Sequence, residues 1–209
     1  MTQTPEHEVI SGYLADVRQT FGAYKRLADK ALDQVSDEEF FARSGEGSNS
    51  IALIVKHIAG NQRSRWRNFL TEDGEKPDRN RDTEFEHFGE SRAELLSFWE
   101  DGWSILFSAI DALSPLDLAR TVTIRGEPHT VIQAINRQLT HYSYHVGQIV
   151  LLAKEARGSE WRTLSVPRNR SADFNRFIEE RMKDGTGKSN PLDGPGDFAE
   201  SDHQGGSKP

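Results

Sequence analysis

Four long stretches of this 209-residue chain repeat their apolar residues every three to four positions. That spacing turns one face of an α-helix toward a core. The first stretch runs from about Glu6 to Gln34 and carries Val9, Tyr13, Val17, Phe21, Tyr24, Leu27, Ala28 and Leu32. The second begins near Asn49-Ser50, after a glycine-rich break at 44–48, and continues to about Leu70 with Ile51, Ile54, Val55, Ile58 and Phe69. The third spans about Ser91 to Leu113 with Leu95, Phe98, Trp99, Trp103, Leu106, Phe107 and Ile110, and Pro115 stops it. The fourth extends from about Thr130 to Ala156 and halts at Arg157-Gly158. Four such helices must bury their stripes against one another, so an all-α four-helix bundle is expected.

Shorter elements fill the gaps. Ser36 followed by Asp37, Glu38 and Glu39 reads as an N-cap with an acidic first turn, opening a short helix through Phe41. From Leu118 to His129, β-branched and polar residues alternate around a turn, which predicts a small β-hairpin just before the fourth long helix. A short C-terminal helix is expected from Ala172 to Met182. Residues 1–183 then make one domain, and 184–209, rich in Gly, Pro, Ser and Asp, read as a disordered polar tail. The segment 71–90 is a loop of 20 residues dense in charge. Loops of that length inside a compact domain are functional or disordered.

Composition narrows the function. The chain has no cysteine, which excludes disulfides, thiolate ligands and a cysteine nucleophile. That absence fits a reducing compartment. No run approaches the roughly 20 apolar residues of a membrane span, and the acidic N-terminus lacks the pattern of a secretion signal. A cytoplasmic protein without a membrane partner is expected. The net charge of −7 argues against a nucleic-acid partner.

Chemistry has to come from polar residues on interior faces. Winding the fourth helix at 100° per residue puts Val131, Ile135, Leu139, Tyr142, Val146, Ile149 and Ala153 on one face. Gln138 and His145 fall within it, and His141 lies at its edge one turn from His145. Burying such groups without partners costs on the order of 1–3 kcal/mol each. The second helix offers a partner: His57 belongs to a narrower stripe with Ser50, Leu53, Asn61 and Ser64. Three neutral imidazoles suit zinc, nickel or iron and suit magnesium or calcium poorly. With three protein ligands an ion keeps an open position, the pattern of catalytic zinc. HxxxH on a helix also arises by chance, and isolated core histidines are commonly hydrogen-bonded structural residues. His7, His87, His129 and His203 are assigned no metal role.

Two segments carry a resemblance. Ile54-Val-Lys-His57-Ile-Ala-Gly-Asn61, followed by His141-Tyr-Ser-Tyr-His145-Val-Gly-Gln148, resembles the DinB/YfiT-like metalloenzyme superfamily. Asp73-Gly-Glu-Lys-Pro77 and Arg79-Asn-Arg-Asp-Thr-Glu-Phe85 look like a branch of it known only as a domain of unknown function. The likeness covers about residues 6–157, with the segment to Met182 in the same domain. It implies an up-down-down-up bundle, with a divalent transition metal held near one end by His57, His141 and His145. It also implies a homodimer. Characterised relatives include thiol S-transferases using bacillithiol or mycothiol and a mycothiol-dependent maleylpyruvate isomerase.

For the reaction, three readings stay open. One is a metal-dependent enzyme acting on a small molecule, a low-molecular-weight thiol in S-transfer or the substrate of a hydrolase. The second is a non-catalytic, metal-stabilised bundle serving binding or stress response, and the third a metal-free interaction module. Neither ligand helix carries an acid on its interior stripe, so acid–base groups are sought in Asp73, Glu75, Arg79, Arg81, Asp82 and Glu84 of the loop. Those charges could equally form a network pinning the bundle's end. Asn61, Gln138 and Gln148 are the candidates to hold the second ring nitrogen of each ligand. Gly147 is expected to admit a neighbouring helix, Tyr142 to be core, and Trp66, Trp99 and Trp103 to be core or interface aromatics.

Overall fold

Each long stripe becomes a helix, and for three of the four a side chain sets the start. The computed structural model describes residues 5–183, 185 and 195–199, with side chains from residue 12. Its helices are α1 (Pro5–Leu32), α2 (Asp37–Phe41), α3 (Ile51–Trp66), α4 (Arg92–Asp111), α5 (Val131–Arg157) and α6 (Ser171–Lys183), with strands β1 (Thr121–Ile124) and β2 (Glu127–Thr130) before α5. Ser36, Ser91 and Thr130 each accept from the backbone N–H three residues on and close a capping box; Ser50 accepts from Leu53 N–H. The expected all-α bundle with a hairpin is thus the observed fold.

Contacts between helices give the directions. Tyr13 meets Asn136 and Phe21 meets Tyr142, so α1 and α5 run parallel. Arg92 donates to the Leu32 carbonyl while Arg18 pairs with Asp111, so α4 runs against α1. His57 lies by His145 and Asn61 by Tyr142, so α3 runs against α5. The order is up-down-down-up, and α3 and α4 are parallel neighbours. A short turn cannot join parallel neighbours; the chain must travel back the length of α3, about 24 Å at 1.5 Å per residue. The charged loop is that return strap.

The strap is hydrogen-bonded along its length. Ser64 accepts from Lys76 N–H and donates to the Gly74 carbonyl, and Gly74 N–H donates to Thr123 of the hairpin. Asp73 accepts from Glu75, Arg125 and Gly126 N–H. Arg125 and Gly126 sit at φ 57° and 77°, the paired positive angles of a two-residue hairpin turn. Val122 and Ile124 point inward, as alternation requires. Further on, a 3-10 turn (Asp82–Phe85) packs on α3, and Lys56 bonds Glu86 O and Glu90.

One aromatic from each long helix meets at the centre: Phe21, Trp66, Trp103 and Tyr142, with ring centroids 5.8–6.0 Å apart for the pairs Phe21–Trp66, Phe21–Tyr142 and Trp103–Tyr142. Tyr142 is fully buried; it accepts from Trp66 Nε1 at 3.1 Å and donates to Asn61 Oδ1 at 2.9 Å. Trp99 and Trp103 are likewise consumed by this chain's own core.

Two details differ from expectation. Helix α3 ends at Trp66, four residues early, because Arg67 turns extended and Asn68 adopts φ 46°. Asparagine tolerates that left-handed conformation. Phe69 therefore enters the core from a turn. Gly147 faces open space; the close approaches are at Gly60, Gly74 and Gly102. Most of the expected tail, 184–209, lies outside the described residues. Within it, 195–199 are helical, Phe198 is buried against Phe174 and Phe177, and Asp197 accepts from Arg181.

Candidate metal centre

Antiparallel α3 and α5 bring residues four apart on one helix against residues four apart on the other in reverse order. His57 on α3 thereby faces both His141 and His145 on α5. His57 and His145 are buried and His141 is half-buried. One nitrogen from each ring falls within 4.8 Å of the others, and His57 Nε2 lies 3.2 Å from His141 Nε2. Two nitrogens bound at about 2.1 Å to a tetrahedral ion stand roughly 3.4 Å apart, so the closest pair already has ligand spacing.

The other ring nitrogens are held from behind. His57 Nδ1–H donates to Glu84 Oε2 at 2.8 Å, and His145 Nδ1–H donates to Gln148 Oε1 at 2.8 Å. These bonds fix the tautomer that leaves Nε2 bare, the usual support of a metal-binding imidazole. Gln148 thus fills its expected role. Asn61 instead accepts from Tyr142, and Gln138 Oε1 is buried with no protein partner. The acid behind His57 comes from the strap.

Glu84 can sit there because residue 60 is glycine: a Cβ at Gly60 would lie 2.4 Å from Glu84 Oε1. Arg79 grips the same carboxylate with Nε at 2.8 Å and Nη2 at 2.9 Å. Burial pushes the Glu84 carboxyl up, but bonds from His57 and Arg79 outweigh it and the net shift is downward. Burial, the neighbouring imidazoles and nearby arginines lower His141 to about 3. Burial chiefly lowers His145 to about 4, against the bond to Gln148. Both rings are neutral near pH 7, the form that binds a cation.

The remaining loop charges divide by task. Asp73 clamps the hairpin turn, and Glu75 pairs with Arg79, Arg125 and, at 3.9 Å, Arg65. The loop is therefore an ionic network and a supplier to the centre at once. Of the histidines given no metal role, His87 contacts the Glu90 carbonyl and His129 lies in β2, away from the centre. His7 and His203 lie outside the residues whose side chains are described.

Beside the histidines opens a cleft of about 500 Å³. Phe85 packs over His57 with ring centroids 4.7 Å apart, and Tyr144 meets His145 edge-on. Arg65, Arg79, Arg81, Arg125 and Arg137 also line it, and among the described residues no carboxylate does. The sequence already places Tyr144 beside the ligands, whereas sequence reasoning missed Arg65, Phe85, Arg125 and Arg137. For two of them a signal was present: Arg65 continues the 57, 61, 65 row of α3, and Arg137 begins the 137, 141, 145 row of α5.

Fold and site together define a class: a helical bundle with a largely buried three-histidine group able to hold a metal ion, open to an arginine-lined cleft. Residues 8–170 match the family described as "Protein of unknown function (DUF1572)", and the chain belongs to that family. No curated protein matches it.

Proposed function

We propose that this protein is a divalent-metal-dependent enzyme acting on a small molecule in the cleft, by thiol S-transfer. One observation carries the reading: three imidazoles converge beside an open cleft, with two of them locked by Glu84 and Gln148 so that only Nε2 is available. A zinc, nickel or iron ion held by His57, His141 and His145 would lower the pKa of a bound thiol or water and present a nucleophile at neutral pH. The chain's residues supply the rest. Glu84 and Gln148 orient the rings, Phe85 covers His57, and Tyr144 walls the far side. Because no acid among the described residues lines the cleft and Glu84 is committed to His57 and Arg79, those residues offer no free general base of the kind water attack normally uses. Thiol transfer is therefore favoured over hydrolysis, which stands as the second reading.

Kinship with the DinB/YfiT-like superfamily is part of this proposal. Its supports are the two histidine motifs and the helix directions. A homodimer follows from the same kinship, and a cytoplasmic location accords with the cysteine-free sequence; light scattering on the purified protein tests the first.

The function is tested on untagged protein. Elemental analysis is expected to return about one transition metal per chain, and His57→Ala/His145→Ala to abolish it. Cobalt-loaded protein is then titrated with bacillithiol, mycothiol and glutathione. A thiolate-to-cobalt charge-transfer band with one of them supports the transferase. Full metal content with neither binding nor turnover across the panel retires it in favour of a non-catalytic metal-stabilised bundle.

A further inference from the structure

Five guanidinium groups line the cleft, in a protein whose net charge is −7. Two carboxylates touch them: Glu84 on Arg79, and Glu75 shared among Arg65, Arg79 and Arg125. Arg81 stacks on Phe85, and among the described residues neither it nor Arg137 meets a carboxylate. About three positive charges are left over, all facing one space. Arg65 is the most telling of the five. It is 4% exposed, its Nε and Nη1 have no protein partner, and its nearest carboxylate oxygen is 3.9 Å away. A buried charge so poorly matched is destabilising unless a counter-charge joins it.

The arginines are also ordered along the cleft. Arg65 lies two turns beyond His57 on α3, and Arg137 lies one turn before His141 and two before His145 on α5. With the helices antiparallel, both fall on the same side of the histidines. At 1.5 Å per residue that side is about 6–12 Å from the imidazole group. Gln138 lies next to Arg137 on that helix, and its Oε1 is a buried acceptor without a protein partner.

We infer that Arg65 and Arg137, with Arg125 beside them, form an oxyanion subsite one to two helical turns from the histidines, so that the cleft's ligand is a small molecule carrying a carboxylate or phosphate at that distance from its reacting end. Guanidinium forks bind either group in bidentate fashion. The cleft's unbalanced charge also concentrates anions around an otherwise acidic protein. Gln138 Oε1 serves a donor on the ligand between its two ends. This deepens the enzyme proposal and rests on its reading of the cleft as the substrate site, but its residues are not the metal ligands.

The test uses full-length protein stripped with chelator, and calorimetric titration with inorganic phosphate and with succinate. Binding of at least one is expected, weakening with ionic strength, with Kd about tenfold or more higher in Arg137→Gln, a loss of the size one charge-assisted contact gives. Arg137 is exposed, so that variant keeps its fold; Arg65→Gln is the second, checked by circular dichroism. Which anion binds tells carboxylate from phosphate. Binding must persist in His57→Ala/His145→Ala, so that failure of the metal reading leaves this inference measurable. No binding of either anion, or binding as tight as wild type in both arginine variants, overturns it. So does binding that vanishes with the histidines.

Discussion

Glu84 reaches His57 only because residue 60 lacks a side chain. Gly60→Ala should raise intrinsic helix propensity by about 1 kcal/mol and still weaken metal binding, because the new methyl group displaces the carboxylate. Unchanged far-ultraviolet dichroism with a higher Kd in chelator competition is the expected result. Glu84→Gln removes the charge while keeping the shape, and a loss of roughly 10- to 100-fold in metal affinity is expected. Equal affinity in both variants would show that His57 needs no support from the strap. These two residues were unequally legible in the sequence. Glu84 stood among the loop acids, but nothing in its local pattern tied it to His57, 27 positions away. Gln148 was easier to read, since it lies three residues from His145 on one helix.

Among the elements, the strap and hairpin depend on Asp73. Its carboxylate takes three backbone N–H groups and bonds Thr123. Burial acts to raise its pKa; those bonds outweigh burial and hold it far below the ordinary carboxylate range. A depressed folded-state pKa gives stability that is present above the unfolded value near 3.9 and is lost as pH falls. The stability gap between the wild type and Asp73→Asn should therefore be constant above about pH 5 and close as pH drops below about 4. Urea titrations across pH measure it, and a gap independent of pH would contradict the assignment. Most elements were legible because capping residues and periodicity are local signals. The exception is informative: α3 stops at Trp66, where a left-handed Asn68 turns the chain into the strap while Phe69 keeps its place in the core.

For the molecule as a whole, Tyr142 is where the four long helices meet. Tyr142→Phe leaves Trp66 Nε1 and Asn61 without their buried partner, at a cost of about 1–3 kcal/mol in urea denaturation. Metal binding acts on the same global equilibrium. Ion at 100 times its Kd adds about 2.7 kcal/mol, a Tm rise of roughly 5–11 °C for a chain of this size. Chelator should reverse the rise in thermal melts, and His57→Ala/His145→Ala should show none. An equal rise in that double variant would place the metal elsewhere.

The four helices, their caps, the hairpin and the three histidines were determined by the sequence alone, since each rests on residues within a turn or two of one another. The HxxxH pair is a local fact of α5, and His57 joins it as soon as two interior stripes are taken to face each other. What only the tertiary structure decided is the company those histidines keep. The parallel packing of α3 on α4 forces a return strap about as long as α3, and that path sets Glu84 behind His57 and Phe85 above it. The antiparallel packing of α3 on α5 aligns Arg65 with Arg137, residues 72 positions apart in the chain. Helix directions and a loop's route depend on contacts summed over the whole core, so no local pattern announces them. The surplus of positive charge in an acidic protein becomes visible only where they bring it together.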